Sequence, residues 1–439
     1  MIEYRNLKVA VLGGGVVGSH VASLLIEHRA ELEARVGAGL EVIGVAVRNL
    51  EAPRPRALPR ELLTDDPHAL VTAADIVVEL IGGISPAREL VLEALGSGAD
   101  VITANKALLA THGPELFDAA EQVGAQLYYE AAVAAAIPII RPLRESLAGD
   151  RVRRILGIVN GSTNYILDRM DTDGMSAEDA AKVARELGYL EADPTLDVEG
   201  YDAAQKAAIL ASLAFHTHVP LDAVHREGIT SITGEQVASA KAAGYVVKLL
   251  AIAERLIDPV TGREGVSARV HPALVPRTHP LAAVHGGNNA VFVEAEFAGP
   301  LMFYGAGAGG MQTASAVLGD IVSAARRHLA GGPGVAESTS AELPVLGLDA
   351  VTTRYQITLD VDDRPGVLAA VAGVISESGV SIETASQTIA SEDGEASPTA
   401  TLVIVTHRAQ ESALVATVAA LRESPAVRSV SSVVRVEGL

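Results

Sequence analysis

Cysteine and tryptophan are absent from this chain of 439 residues, and phenylalanine occurs only five times. Without cysteine there is no disulfide, no thiolate nucleophile and no cysteine-ligated zinc, a composition that agrees with a cytoplasmic enzyme. Scarce aromatic rings leave little from which to build a base-stacking platform. Positive charge is also in deficit: 34 Lys and Arg stand against 54 Asp and Glu, a net charge of −20 that argues against nucleic-acid binding. Long apolar runs are missing too. The longest, residues 128–140, is broken by Glu130 and Pro138 and reads as a buried strand and turn, not a membrane span. The first residues, Met1-Ile2-Glu3-Tyr4-Arg5-Asn6, carry acid early and do not read as a secretory signal. What is present is apolar bulk, 49% of the residues, enough at this length for two or three domains with real cores.

Residues 7–12 read as a buried strand that runs into Gly13-Gly14-Gly15-Val16-Val17-Gly18 and an amphipathic helix to about Arg29. Strands are expected at 40–47, 75–81 and 99–103, with helices at 86–95 and 114–123. This alternation predicts an α/β fold with a Rossmann-type, doubly wound parallel sheet. From about Ala131 the pattern becomes α+β, with strands at 154–159, 266–271 and 291–297 and helices at 176–187, 203–214 and 234–257. Gly305–Gly310 precedes a helix at 313–329. The expected division is a nucleotide domain at 1–132, with the helix 311–330 returning to it, and a catalytic and dimerisation domain at 133–310. A Gly/Pro/Ser-rich linker at 331–350 and a small domain at 351–439 follow.

A lone G-x-G-x-x-G is weak, but here it follows a strand and opens a helix. In that place the glycines allow a tight turn, close approach of a pyrophosphate and helix-on-strand packing. The second strand ends at Arg48 where an NAD enzyme holds the ribose with an acid, which favours NADP over NAD; a solvated surface arginine is the plainer alternative.

Asp202 and Lys206 lie four apart at the start of an alanine-rich helix, with Glu191, Asp193 and Asp197 on the loop before it. A lysine entering an apolar helix beside several carboxylates suits a proton donor whose charge is held by its neighbours. A weak helix-face ion pair explains the same spacing. Asp193 and Asp197 either orient Lys206 or cap turns. His216 and His218, two apart, do not have the spacing of a helical zinc site.

The segments Gly13–Gly18, Ala104-Asn105-Lys106-Ala107-Leu108-Leu109, Asn160-Gly161-Ser162-Thr163-Asn164-Tyr165, residues 188–206 and Gly305–Gly310 occur in the order seen in homoserine dehydrogenases. The chain resembles that family over about residues 7–330, in its monofunctional form. The resemblance implies reversible NAD(P)H-dependent reduction of L-aspartate 4-semialdehyde to L-homoserine, a step towards threonine and methionine. It implies Lys206 as proton donor, Lys106 as a second lysine near nicotinamide and substrate, and Glu191 and Asp202 on the substrate's amino group, with Asp197 nearby. Ser162, Thr163 and adjacent N–H groups suit the substrate carboxylate. Cofactor contacts are expected from Gly13, Gly14, Gly15, Val16, Val17, Gly18, Arg48, Gly82, Thr103, Lys106, Gly188, Glu191 and Gly309. The family's monovalent cation, Na⁺, is matched by Glu130 and the carbonyls of Val133, Ala135 and Ile137; a hard cation suits such oxygens. A homodimer or homotetramer is expected.

Residues 351–439 alternate as βαββαβ, and the turn Asp362-Asp363-Arg364-Pro365-Gly366-Val367-Leu368 resembles that of an ACT domain, a ferredoxin-like module. The resemblance implies an amino-acid effector, threonine, held at Asp362, Gly366 and Val367; a module used only for oligomerisation is the alternative.

Overall fold

The computed structural model describes residues 5–190, 193–332, 337, 341–392 and 395–438 and divides into two compact units. The first unit spans Met1–Gly161, Asp202–Val224 and Gly287–Glu342, and the second spans Ser162–Tyr201, His225–Gly286 and Leu343–Leu439. The stretch 133–310, expected as one domain, therefore contributes to both.

Six parallel strands carry the first unit: β1 Leu7–Leu12, β2 Leu40–Ala46, β3 Leu63–Thr64, β4 Ile76–Glu79, β5 Asp100–Thr103 and β6 Leu127–Tyr128, in the order β3-β2-β1-β4-β5-β6. β1 and β4 are apolar runs because helices cover both faces of such a sheet. The chain order reverses between β1 and β4, and open α/β sheets bind ligands beyond the strand ends at such a point. The helix Gly310–Ala330 joins this core, with Ala314, Val317, Ile321 and Ala324 packed among Val21, Leu25 and Val45.

The later strands are β7 Val152–Ile158, β8 His225–Arg226, β9 Tyr245–Ile257, β10 Glu264–Pro276, β11 Asn288–Ala295, β12 Gly299–Ala306, β13 Thr352–Asp362, β14 Ile382–Glu392, β15 Glu395–Thr406, β16 Ala409–Gln410 and β17 Val427–Val436. In the first unit β7, β11 and β12 form an antiparallel ladder. In the second, β9 and β10 pair antiparallel along their whole length, and β17, β13, β15 and β14 form the C-terminal sheet. Helices Val367–Glu377 and Glu411–Glu423 pack on that sheet over Ile357, Leu359, Leu402 and Ile404.

Two expectations are corrected. The helix expected over 234–257 ends at Ala242, and 245–257 is strand β9. Gly244 turns the chain at φ +84°, and Val246 to Ala253 are buried. A strand buried on both faces shows no alternation, so its apolar run resembles a helix. The segment expected as a free linker also pairs: Val266 N donates to Pro344 O at 2.9 Å and Leu346 N to Val266 O at 2.7 Å. Beyond it β17 runs parallel to β10, with Ala273 opposite Arg435 and Leu274 opposite Val436.

Charge closes that seam. Arg435 binds Glu227 at 2.9 Å and Glu411 at 2.5 Å, and the Tyr355 hydroxyl donates to Glu411 at 2.6 Å. Arg269, 1% exposed, reaches Glu254 at 2.9 Å and Glu437 at 3.4 Å. The C-terminal module is thus stitched to the rest of the second unit by backbone pairing with β10, by the buried Arg269–Glu437 pair and by the half-exposed Arg435–Glu227 pair.

Candidate active site

In the first unit the glycine turn leaves β1 and opens the helix Val16–Glu27 with no acid in its first turn, so its N–H groups are available to an anion. A Cβ on Gly18 would lie 1.8 Å from Gly13 O, so only glycine allows the helix this close to the turn. At Gly310 a Cβ would meet the Val16 side chain at 2.6 Å, which brings the Gly305–Gly310 run against the same helix start. Val16 and Met311 are 56% and 43% exposed there, apolar surface suited to a flat ring.

Arg48 follows β2, is exposed, and has no hydrogen bond or ion pair among the described residues. A second arginine was not singled out by the sequence. Arg54 Nε lies 3.2 Å from where a Cβ on Gly14 would sit, and its guanidinium donates to the carbonyls of Ala52 at 2.7 Å and Asn49 at 2.8 Å. Two helices and β2 separate Arg54 from Gly14 along the chain but not in space, and only the fold shows it.

Thr103 and Gly82 occupy a second edge of this cleft in different ways. The Thr103 hydroxyl is buried and donates to Glu79 Oε2 at 2.6 Å, while Glu79 Oε1 accepts from Ile81 N at 2.8 Å and Gly82 N at 3.1 Å. Thr103 therefore shapes the Gly82 loop and its hydroxyl is not open to a cofactor. Asn105 caps the helix Lys106–Val123 through Leu108 N at 3.2 Å and donates to Gly83 O at 2.6 Å. That cap fixes where Lys106 begins.

Lys106, Asp202 and Lys206 meet. Lys206, 8% exposed on the helix Tyr201–Phe215, donates to Asp202 Oδ2 at 2.7 Å and to Val159 O at 2.6 Å. The other Asp202 oxygen faces Lys106 Nζ at 3.1 Å, and Asn160 Nδ2 donates to Oδ2 at 3.0 Å. Burial alone would push the Asp202 carboxyl up; the two lysines and the Asn160 hydrogen bond outweigh it and hold the carboxyl well below its ordinary range. The cluster carries two cations on one anion, a net positive site suited to a developing oxyanion. Lys106 is the more accessible, with 39% of its side chain exposed against 10% for Lys206. Asn160 is the member that sequence reasoning left without a role.

In the second unit, Ser162 and Thr163 stand in the first turn of the helix Gly161–Asp173. The Ser162 hydroxyl donates to Tyr189 O at 2.5 Å, and Tyr189 stacks on Tyr165 at 5.2 Å, which places Gly188 beside this turn. Asn164 Nδ2 donates to Gly286 O at 2.8 Å and Val284 O at 3.2 Å. Asp193 accepts from Thr195 N at 3.1 Å and Thr195 Oγ1 at 2.6 Å, so it closes the turn that leads into the short helix Thr195–Val198. Asp197 lies half-buried in that helix. Glu191 lies outside the described residues.

The expected cation set fits only in part. Glu130 Oε1 accepts from the N–H groups of Ile139 at 2.5 Å and Ile140 at 2.7 Å, and Oε2 accepts from Arg141 N at 3.0 Å with Arg141 Nε at 3.1 Å. Those four donors occupy both oxygens of the Glu130 carboxylate. Burial beside Glu130 pushes the Asp320 carboxyl up to about 7, and Arg141 Nη1 lies 3.3 Å from it. The carbonyls of Val133, Ala135 and Ile137 remain, on a backbone held at φ +50° at Ala135, where a side chain is strained.

At the C-terminal turn Gly366, with φ +92°, precedes the helix Val367–Glu377, and Asp362 is paired with Arg428 at 2.5 Å and Arg364 at 3.4 Å. The Val367 side chain is in the core, so only its backbone faces the turn. Among the described residues no helix is long and apolar enough to cross a membrane.

Comparison with known proteins gives three family matches: "Homoserine dehydrogenase, NAD binding domain" over residues 13–130, "Homoserine dehydrogenase" over 138–322 and "ACT domain" over 355–425. A homoserine dehydrogenase of Mycobacterium tuberculosis is 54% identical over 438 residues, covering 99% of each chain. One from Corynebacterium glutamicum is 52% identical, covering 98% of this chain and 95% of its own. The crystal structure of a homoserine dehydrogenase from Thiobacillus denitrificans superposes with a TM-score of 0.91 at 39% identity, covering 99% of both chains. A hyperthermophilic archaeal homoserine dehydrogenase mutant solved in complex with NADPH matches at a TM-score of 0.60 and 28% identity, over 75% of this chain and 99% of its own.

Proposed function

The chain belongs to the homoserine dehydrogenase family, an NAD(P)-dependent oxidoreductase acting on a small-molecule substrate, and from that premise we propose how its residues divide the reaction. The bound nicotinamide supplies the hydride to the aldehyde carbon of L-aspartate 4-semialdehyde. As the carbonyl becomes an alkoxide, Lys206 gives it a proton and Lys106 offsets the charge that develops. The observation that carries this reading is the Asp202 carboxylate, which holds one lysine on each oxygen. Asp202 holds both ammonium groups in place, and Asn160 fixes the carboxylate's rotation. With two lysines already on it, Asp202 has little left for the substrate's amino group, which falls to Glu191.

The helix start that carries Ser162 and Thr163 binds the substrate carboxylate through its N–H groups, with the Ser162 hydroxyl holding Tyr189 O beside it. The glycine turn takes the pyrophosphate and Arg48 the 2′-phosphate of NADP, with Arg54 holding the loop between them. Gly188 and Gly309 contribute backbone close to the cofactor. For a monovalent cation the remaining donors are the carbonyls of Val133, Ala135 and Ile137; no step runs through it. The C-terminal module binds threonine at the turn Asp362 to Val367, and the assembly is a homo-oligomer.

The test is steady-state reduction of L-aspartate 4-semialdehyde with NADPH and NADH in the wild type, Lys206→Met and Lys106→Met. Lys206→Met is expected to lose about 10²–10⁴ in kcat with little change in NADPH affinity. If Lys106→Met shows that loss and Lys206→Met does not, the two roles are exchanged.

A further inference from the structure

Lys248 is a buried cation that the reaction just described leaves unused. It stands on β9, 2% exposed, and its Nζ donates to Asn164 Oδ1 at 2.9 Å and Val284 O at 2.6 Å. Asn164 in turn donates to Val284 O and Gly286 O, so one amide and one ammonium tie the helix Gly161–Asp173 to the turn 284–286. A turn further along the same helix, Asp168 repeats the connection: Oδ2 accepts from Gly286 N at 2.8 Å and Oδ1 lies 2.7 Å from His285 Nδ1. Arg169 also binds Asp168, at 2.9 Å.

Among the described residues Lys248 therefore meets only neutral acceptors in hydrogen-bond contact. The carboxylates that face it, Asp168 and Asp171, are engaged elsewhere: Asp168 as above, and Asp171 with Arg277 at 2.5 Å. Burial pushes the Lys248 ammonium down to about 8. A buried ammonium without a carboxylate in contact is costly, and methionine or leucine would fill the same volume without that penalty. Its consequence lies in what the ammonium holds in place. Here that is the first turn of the helix bearing Ser162 and Thr163.

We propose that Lys248 is a positioning residue for the reduction: by locking the Asn164 amide to the 284–286 turn, it fixes the orientation in which the helix start bearing Ser162 and Thr163 meets the substrate carboxylate. The inference rests on the assignment of that helix start given above. Lys248 itself touches neither substrate nor cofactor, and its effect belongs in substrate KM.

The experiment uses the full-length enzyme with Lys248→Met, Lys248→Gln and Ser162→Ala, and the double variant Ser162→Ala/Lys248→Met. Substrate KM, kcat, NADPH affinity by fluorescence and the thermal midpoint are read for each. Lys248→Met is expected to raise the KM for aspartate semialdehyde about tenfold or more while NADPH affinity stays within about twofold and the midpoint does not fall. Lys248→Gln, which keeps a donor, should recover part of the loss. The double variant should lose less than the product of the two single losses, because both act on one turn. If Ser162→Ala raises KM and Lys248→Met leaves it within about twofold, Lys248 is a core residue only and the proposal is overturned. If neither changes KM, the assignment of the Ser162 turn to the substrate fails, and the proposal with it. If both Lys248 variants lose NADPH binding and melt early, the role is structural and the proposal is again overturned.

Discussion

A single carboxylate organises the proposed chemistry, and its titration is readable. Asp202 is depressed in the folded protein, so the stability it contributes is present above the ordinary carboxylate range and is lost as pH falls through its lowered value. Asp202→Asn should flatten the acid limb of the stability curve and lower kcat, because both facing lysines then lose their counter-charge. Thermal midpoints measured from pH 3 to 7 in both proteins check this; parallel curves would show that Asp202 is not ion-paired in solution. The two arginines after β2 separate by their contacts. Arg48, without a partner among the described residues, should discriminate NADPH from NADH, and Arg48→Ala should cost NADPH about 1.5–3 kcal/mol more than NADH. Arg54 is tied to carbonyls of its own loop, and Arg54→Ala should weaken both cofactors alike. Affinities for the two cofactors, measured by fluorescence titration, decide between these roles. Sequence made Lys206 and Asp202 visible because i,i+4 spacing is local. It could not show Asn160 or Arg54 against the site, since those contacts depend on how the chain returns.

Elements were legible where one face differs from the other or where glycine marks a fixed geometry. The strand–glycine–helix start is of this kind, and a Cβ at Gly18 shows why: the atom it meets is the backbone oxygen of Gly13, which has nowhere to go. Gly18→Ala should destabilise the nucleotide unit by about 1–3 kcal/mol or more and weaken cofactor binding; calorimetric melting with and without NADPH measures both. The C-terminal βαββαβ order was legible for the same reason, since its strands alternate towards one helical layer. β9 was not. Its residues are buried on both sides, so the period that separates strand from helix is erased, and only Gly244 marks the change. The run 331–350 looked like a linker by composition, yet its backbone at Pro344 and Leu346 pairs with Val266; composition reports flexibility of an isolated chain and says nothing of a neighbouring edge.

At the scale of the whole molecule, that pairing changes what truncation can achieve. Removing residues 345–439 strips β17 from β10 and leaves Arg269, 1% exposed, without Glu437. Arg269 keeps Glu254 at 2.9 Å, so the larger cost is the uncovered edge of β10, with its apolar residues and the Arg435–Glu227 pair lost together. The shortened chain should therefore be insoluble or melt well below the full-length enzyme, and soluble yield with a melting curve measures this. A stable, fully active truncate would show that the seam contributes little. Glu227 adds a pH signature to the same seam: Arg435 and His225 hold its carboxyl at about 2 against the push of burial, so its contribution is present above the usual carboxylate range and lost as pH falls towards 2. Threonine binding is better tested in the intact chain, by calorimetry on Asp362→Ala, than by deletion. The account as a whole depends on one site in the first unit. Its most direct test is reduction of L-aspartate 4-semialdehyde by Lys206→Met with NADPH saturating. The account predicts a kcat lower by about 10²–10⁴ with NADPH affinity unchanged; a variant that keeps more than about half of the wild-type kcat would contradict it.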